Sequence, residues 1–215
     1  MTQVAAGALR NAFCFIGAGG HHAGRDFFGG YCCFNDVVIA VTEVRRTTLL
    51  RRIAIVDTDA HHGDGTRDLV LADPEILHLC ICGAAFESSD GTKVDLPFPE
   101  PGEGEGMDGA YLALLDREAC FRVERFHPDL LVWYFGFDTH RGDYGDIGLS
   151  RAAFLGIADR VLGLAEACCV GRLLVVLGGG SRTDLATALI PPVIARLVGQ
   201  SFGKSEMKLD NDPGH

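Results

Sequence analysis

A short segment of this chain brings together five side chains that can bind a metal or move protons. Three aspartates and two histidines fall within eight positions, directly after the apolar residues 53–56. That apolar run is short, β-branched and bounded by charged residues, which is typical of a buried strand. Alternate side chains of an extended chain share a face, so Asp57, Asp59 and His61 would point the same way at the strand's end. Close ionised carboxylates repel each other unless a cation lies among them, and the segment therefore indicates a metal site.

Within this segment the residues divide into two roles. Asp59 and His61 are the expected metal ligands, whereas Asp57 and Asp64 are better used to hydrogen-bond an imidazole and orient it. An acidic turn held by salt bridges is the alternative interpretation. The glycines at positions 63 and 65 favour a metal site over such a turn, because they allow the tight turn that a loop with fixed side chains needs.

Two further polar groups follow apolar runs elsewhere in the chain. His21 and His22 come after a predicted strand and a glycine-rich turn. Imidazoles titrate near neutral pH, so the pair suits a general base and a general acid, with two surface histidines as the alternative. Asp138 comes just past residues 130–135 and is the expected third metal ligand. An ordinary turn is the alternative there, because aspartate and glycine are common in turns.

Together these residues indicate metal-assisted hydrolysis. Two carboxylates and one imidazole leave a fourth position open on zinc, and an open position marks a catalytic rather than a structural site. Zinc lowers the pKa of a bound water to about 7 and polarises a carbonyl group. A histidine pair beside the ion would supply the proton transfers, and the predicted target is an amide bond.

The composition narrows the class of protein. The 215 residues suffice for one α/β domain with a full core. A net charge of −10 argues against nucleic acid or an anionic membrane surface as a partner. The eight cysteines show no CxxC spacing, which indicates free thiols in a reducing compartment. Because there is neither an apolar stretch of about 18 residues nor a signal-peptide pattern, we expect a cytoplasmic protein without a membrane span.

Strand and helix patterns alternate along the chain. The predicted strands are residues 12–16, 52–57, 76–82, 130–135 and 172–177. The predicted helices are residues 34–46, 108–126, 150–169 and 184–197, the last interrupted by Pro191 and Pro192. The irregular stretch 87–106 holds one short segment at 93–97, and residues 201–215 read as a disordered tail. This alternation predicts a mainly parallel sheet with helices on both faces, in a single domain over residues 1–200.

The motifs occur in an order that resembles the histone deacetylase family, which includes acetylpolyamine amidohydrolases and bacterial deacetylase-like proteins. The resemblance spans residues 13–199 and rests on GGHHA, GGYCCFNDVVIA, VDTDAHHGDGT, GFDTHRGD with DIGLS, and VVLGGG. The VDTDAHHGDGT segment is highly specific, and the GFDTH form is closer to the class II and bacterial branch. The resemblance implies an arginase-like, three-layer α/β fold and zinc-dependent removal of an acyl group from a linear amide.

The same resemblance implies roles for individual residues. The implied zinc ligands are Asp59, His61 and Asp138. The implied acid–base pair is His21 and His22, with Asp57 behind His21 and Asp64 behind His22. The implied residues of the substrate tunnel are Gly30, Tyr31 and Phe86. A structural potassium ion is also implied near Asp57 and His61, with the backbone carbonyls near Cys80 and Ile81.

Arginase-type di-manganese enzymes share the implied fold and are the nearest alternative. Their second metal needs a DAHxD turn and several carboxylates in a SxDxDxxDP segment. Here residues 59–63 read DAHHG, and Asp138 is the one carboxylate in FDTH. One zinc ion per chain is therefore the prediction.

The sequence departs from the family pattern in two places. Members have a tyrosine in a GGY element that donates to the oxyanion, whereas residues 178–182 read GGGSR. Ser181 or Arg182 takes that place, depending on the alignment of the glycines. Losing such a donor costs about 2.7–4 kcal/mol of transition-state stabilisation. The chain also begins close to its GGHHA strand and is short at that end relative to the family. We therefore expect an open substrate channel and an exposed sheet edge that favours homo-oligomers.

Three functions remain in competition. The first is a zinc-dependent amidohydrolase that releases acetyl or another short acyl group from acyl-lysine, an acylated amine or a polyamine. The second is a catalytically impaired metal-binding protein that binds acylated amines, motivated by the missing tyrosine. The third is a truncated product without a function of its own.

Overall fold

The computed structural model describes residues 1–16 and 20–199. Within these residues the strands are β1 (Asn11–Cys14), β2 (Ile53–Asp57), β3 (Ile76–Ile81), β4 (Phe86–Glu87), β5 (Lys93–Leu96), β6 (Leu130–Phe135) and β7 (Leu173–Leu177). They form one sheet in the order β1–β7–β6–β2–β3–β5–β4. Every pair is parallel except β4 with β5. The predicted mainly parallel sheet is confirmed.

The helices are α1 (Thr2–Ala5), α2 (Asp36–Thr47), α3 (Asp64–Val70), α4 (Met107–Leu114), α5 (Phe121–Phe126), α6 (Arg151–Cys169) and α7 (Thr183–Leu197). A π-helical segment, Leu115–Cys120, joins α4 directly to α5. The helix predicted at residues 108–126 therefore forms, with one wider turn in its middle.

Two hydrophobic cores lie on opposite faces of the sheet, because successive strand residues point to opposite sides. On one face Trp133 of β6 packs in a core with Phe154 and other residues of α4 to α7. On the other face Tyr134 packs in a core with Val41 and other residues of α1 to α3. The molecule is thus a three-layer α/β structure, as the sequence predicts.

The predicted interruption of the last helix is wrong. Helix α7 continues through Pro191 and Pro192 without a break. Proline's fixed φ is compatible with a helix, although each internal proline removes a backbone hydrogen bond and costs about 3 kcal/mol. Leu189 and Val193 flank the pair and are fully buried in the core shared with α6. Their burial offsets the missing backbone hydrogen bonds.

Other sequence predictions hold in most details. The helix predicted at 150–169 forms as α6, with Ser150 as its N-cap, and the segment predicted at 93–97 forms β5. The short elements α1, α3 and β4 were not predicted. All eight cysteines are free, as expected. Among residues 1–16 and 20–199, every helix is too short or too polar to cross a bilayer. The predicted disorder at 201–215 lies outside the described residues.

The register of the central strands places three loops at the same edge of the sheet. Asp57 at the end of β2 pairs with Tyr134 of β6, which pairs in turn with Val176 of β7. Backbone hydrogen bonds continue past the strand ends: Thr58 donates to Tyr134 (3.1 Å), and Gly178 donates to Phe135 (2.7 Å). The carboxyl ends of parallel strands are where ligands bind in α/β sheets.

Candidate metal centre and active site

Asp59, His61 and Asp138 converge at this edge. Their potential ligand atoms all lie within 4.8 Å of one another. Nδ1 of His61 is 2.8 Å from Oδ2 of Asp138 and 3.3 Å from Oδ1 of Asp59. Both carboxylates are buried, whereas the His61 side chain is 42% exposed. The three predicted ligands, from two separate loops, therefore form one group that is open to solvent on its imidazole side.

Backbone N–H groups fix the orientation of both carboxylates. His61 and Gly179 donate to the two oxygens of Asp59, at 3.0 and 2.6 Å. Ala60 donates to Oδ1 of Asp138 at 3.0 Å. Such outer contacts hold ligating groups in place before an ion binds.

The electrostatics of the group fit a cation. Burial raises the pKa of Asp138 to about 6. Burial also acts to raise the pKa of Asp59, but hydrogen bonding to His61 and the charge of His21 hold it well below its usual range. Hydrogen bonds to Asp138 and Asp59 raise the pKa of His61 to about 10. A proton on His61 thus offsets the carboxylates in the metal-free form. Two oxygens and one nitrogen are donors that suit zinc, so the residues fit the ion.

The histidine pair lies beside this group, and each imidazole is backed by a carboxylate. Nδ1 of His21 is 2.9 Å from Asp57, and Nδ1 of His22 is 2.8 Å from Asp64. The two rings meet edge to face with centroids 4.1 Å apart. Both predicted histidine–aspartate contacts are present.

His21 occupies the deeper position of the pair. Its ring stacks on Tyr134 at 4.5 Å, and its Nε2 lies 3.8 Å from Oδ1 of Asp59. Burial acts to lower the pKa of His21, but the negative charges of Asp57 and Asp59 raise it to about 9. A dication among the carboxylates would offset that negative charge, so this shift belongs to the metal-free form.

Of the three predicted substrate residues, Gly30 lies next to the histidine pair and Tyr31 directly follows Gly30 in the chain. Gly30 lies against the His22 ring, because a Cβ built at Gly30 would collide with that ring. Tyr31 follows, and this residue is 96% exposed. Phe86 lies in β4 at the far edge of the sheet, with the Arg67 guanidinium 4.8 Å from its ring centre. The wall role of Phe86 stays a prediction.

Ser181 and Arg182, the predicted oxyanion donors, hydrogen-bond to nearby carboxylates. The Ser181 hydroxyl donates to Asp143 at 2.9 Å. Arg182 forms a salt bridge with Asp184. Neither contact involves the metal group, and the role of each as an oxyanion donor stays a prediction.

Tyr144 is a residue at this site that the sequence reasoning missed. Its ring stacks on His61 with centroids 5.1 Å apart. The Gly180 N–H donates to its hydroxyl at 3.2 Å. The sequence offers one weak signal, which is that Tyr144 lies in the same loop as Asp138.

A second group of potential ligands, His62, Cys82 and Asp95, lies nearby. Nε2 of His62 is 3.0 Å from Asp95, but the Arg67 guanidinium also forms an ion pair with that carboxylate. Because a cation already contacts Asp95, this group is less suited to a metal ion than the group at Asp59.

A cavity of about 870 Å³ opens elsewhere in the molecule. Its lining includes Arg52 and Pro74, which precede β2 and β3. It therefore lies toward the amino ends of these strands, away from the edge where α/β sheets bind ligands.

Comparison with known proteins agrees with this geometry. The model of the histone deacetylase domain matches residues 1–196, nearly the whole chain. The chain belongs to the histone deacetylase family. It is 30% identical to Histone deacetylase clr3 of Schizosaccharomyces pombe over 94% of this chain and 31% of that protein. It is 34% identical to Acetylpolyamine amidohydrolase 1 of Pseudomonas aeruginosa over 71% of this chain and 47% of that protein.

The structural comparison gives the same family. The crystal structure of the HDA15 HD domain superposes with a TM-score of 0.81 at 26% identity. The match covers 94% of this chain and 60% of that one. The histone deacetylase fold is thus shown, while this chain spans half or less of the length of the two curated relatives above.

The potassium site implied by the family resemblance involves a neighbouring part of the fold. Sγ of Cys80 lies 4.0 Å from the His61 carbonyl oxygen, and Asp57 accepts the Asp59 N–H at 3.0 Å. These contacts hold β2, β3 and the ligand loop together. Potassium binding itself stays a prediction.

Proposed function

We propose that this chain is a zinc-dependent amidohydrolase that removes acetyl, or another short acyl group, from an acylated amine or acyl-lysine. The observation that carries the proposal is the juxtaposition of the Asp59–His61–Asp138 group with two carboxylate-backed histidines. When bound, one zinc ion per chain would polarise the amide carbonyl and lower the pKa of the attacking water.

The buried histidine suits the role of general base. Asp57 fixes Nδ1 of His21, so its Nε2 faces the metal group, 3.8 Å from Asp59. A water molecule attacking from that side would give its proton to Nε2. The stacked ring of Tyr134 keeps the imidazole in this orientation.

The second histidine suits the role of general acid. Nδ1 of His22 is held by Asp64, and its ring lies against Gly30, where the resemblance puts the acyl group. When the carbon–nitrogen bond breaks, His22 would protonate the leaving amine. Acetate and a free amine would then be released.

The relatives' names support turnover over binding alone. They include a deacetylase, an acetylpolyamine amidohydrolase and a "Probable deacetylase" from Archaeoglobus fulgidus, 32% identical to this chain. An acylated amine is what these names have in common. A cytoplasmic location and a homo-oligomer stay predictions.

The test is hydrolysis of acetylated lysine peptides and acetylated polyamines by the zinc-loaded chain. Asp138→Asn removes one ligand charge and should lower both the rate and the bound zinc. Asp159→Asn is the matched control, since it makes the same chemical change in an exposed ion pair with Arg196. Equal rates for wild type and Asp138→Asn would refute the proposal. Thermal stabilisation by zinc would argue against a functionless fragment, because an ion that binds only the folded state raises its stability.

A further inference from the structure

The family's oxyanion tyrosine is missing from the glycine-rich loop after β7, yet a different tyrosine hydroxyl lies at that loop. We infer that Tyr144 is a catalytic residue whose hydroxyl donates a hydrogen bond to the oxyanion of the tetrahedral intermediate. This inference rests on the proposed amide hydrolysis. It assigns the donor to the loop after β6 rather than to Ser181 or Arg182.

The first support is the position of the hydroxyl relative to the metal ligands. A Cβ built on Gly179 would lie 2.6 Å from the Tyr144 hydroxyl, 2.6 Å from Oδ2 of Asp59 and 2.9 Å from Oδ2 of Asp138. These three oxygens therefore surround one small volume beside Gly179. A substrate carbonyl oxygen that entered this volume would come within reach of the phenol.

The second support is the direction in which the hydroxyl can donate. The Gly180 N–H donates to the Tyr144 oxygen at 3.2 Å. The phenol group carries one proton that it can donate, and its oxygen can also accept a hydrogen bond. Because the backbone N–H occupies an acceptor position on the oxygen, the phenol proton is available to donate to a substrate oxygen.

The third support is that the loop holding Tyr144 is fixed before substrate arrives. The buried Asp143 carboxylate accepts the backbone N–H groups of Tyr144 at 2.8 Å, Ser181 at 3.1 Å and Arg182 at 3.2 Å. Asp143 thus ties the tyrosine to the glycine-rich loop and engages the Ser181 hydroxyl as well. A donor held in place needs little reorganisation during the reaction, which is what oxyanion stabilisation requires.

The last support is access. The Tyr144 residue is 58% exposed, and its ring stacks on the half-exposed His61. The phenol therefore lies on the solvent-open side of the metal group, where a substrate must enter. In this respect it differs from Tyr134, which is buried behind His21.

The experiment compares Tyr144→Phe with wild type, both loaded with zinc. The substitution removes the hydroxyl and keeps the stacked ring. We expect kcat/KM on an acetyl-lysine substrate to fall about 100- to 1,000-fold. A second readout is the affinity for a trifluoromethyl ketone analogue, whose hydrate mimics the tetrahedral intermediate. Its Kd should rise by a similar factor, because transition-state analogues report interactions formed in the transition state. Bound zinc and the thermal melting temperature should stay at wild-type values.

Tyr111→Phe is the matched control. It removes a buried phenol oxygen that has no hydrogen-bond partner among the described residues, and it should leave both readouts unchanged. The inference is overturned if Tyr144→Phe matches wild type in ketone affinity, if it loses zinc, or if wild type does not bind the ketone. A wild type that hydrolyses none of the amides but binds the ketone through Tyr144 would refute the proposed function alone.

Discussion

Gly179→Ala perturbs the metal centre by a single methyl group, and its effect follows from three distances. The new Cβ would lie 2.6 Å from Asp59 Oδ2, 2.6 Å from the Tyr144 hydroxyl and 2.9 Å from Asp138 Oδ2. Non-bonded heavy atoms pack at about 3.5–4.0 Å, so these oxygens must retreat by at least roughly 0.6–0.9 Å to reach the lower limit. Asp59 and Asp138 are buried and held by backbone N–H groups, so they cannot retreat without distorting the loops.

Two magnitudes follow from this crowding. Overpacking of a well-packed site costs about 1–3 kcal/mol of unfolding free energy. Misplacing catalytic groups by about 1 Å costs on the order of 100-fold in rate. We therefore expect Gly179→Ala to lose zinc affinity and about 100-fold in kcat/KM, with a smaller loss of stability. Urea unfolding, metal analysis and amide hydrolysis measure the three quantities.

Gly163→Ala is the control for this prediction. A Cβ at Gly163 meets nothing within 4 Å, and the residue lies inside α6. Alanine is favoured over glycine in a helix interior, so this variant should gain about 0.5–1 kcal/mol. Wild-type zinc affinity and rate in Gly179→Ala would refute the reasoning, because they would show that the ligand oxygens are not confined around Gly179.

Three other changes have expected outcomes. Asp57→Asn removes the carboxylate behind His21, so kcat should fall about 10- to 100-fold while most zinc is retained; an unchanged kcat would remove His21 from the mechanism. Burial lowers the pKa of His78 to about 3. Below about pH 6.5 the unfolded chain therefore binds a proton at His78 that the folded chain does not bind. The free energy of unfolding should fall by about 1.4 kcal/mol per pH unit as the pH drops from about 6.5 toward 3. Urea titrations should show His78→Leu gaining on wild type as the pH falls from 6.5 to 4, and a pH-independent difference would contradict this. Ser150→Ala removes the hydroxyl that accepts the Ala152 N–H and should cost about 1 kcal/mol in urea unfolding, whereas no loss would show that the cap is dispensable.

The main strands and long helices could be predicted because their sequences carry strong local patterns. Strands such as β2 and β6 are short apolar runs that the sheet buries on both faces, and α6 begins at a serine that caps it. Helix α3 lacked such a pattern, because Val70 is one of few apolar residues in it. The continuity of α7 depends on the burial of Leu189 and Val193. The sequence of two consecutive prolines does not reveal whether their neighbours will be buried.

The metal ligands of the candidate site could be predicted, because the alternation of strands and helices indicates a parallel sheet and each ligand follows the end of a strand. Asp59 and His61 follow one strand and Asp138 follows its neighbour, so a parallel sheet brings them together. The position of Tyr144 could not be predicted, because it depends on hydrogen bonds that the Asp143 carboxylate accepts from Tyr144 and from Ser181 in the loop after β7. Such contacts between distant loops leave no periodic signal in the sequence.

X-ray absorption at the zinc edge of the purified chain tests the central claim most directly. An ion held by Asp59, His61 and Asp138 should show only nitrogen and oxygen neighbours, at about 2.0–2.2 Å. In the purified Asp138→Asn variant the zinc edge should be smaller, because less zinc stays bound. A sulfur neighbour at about 2.3 Å would contradict the account, because it would place the ion at a cysteine such as Cys82 instead.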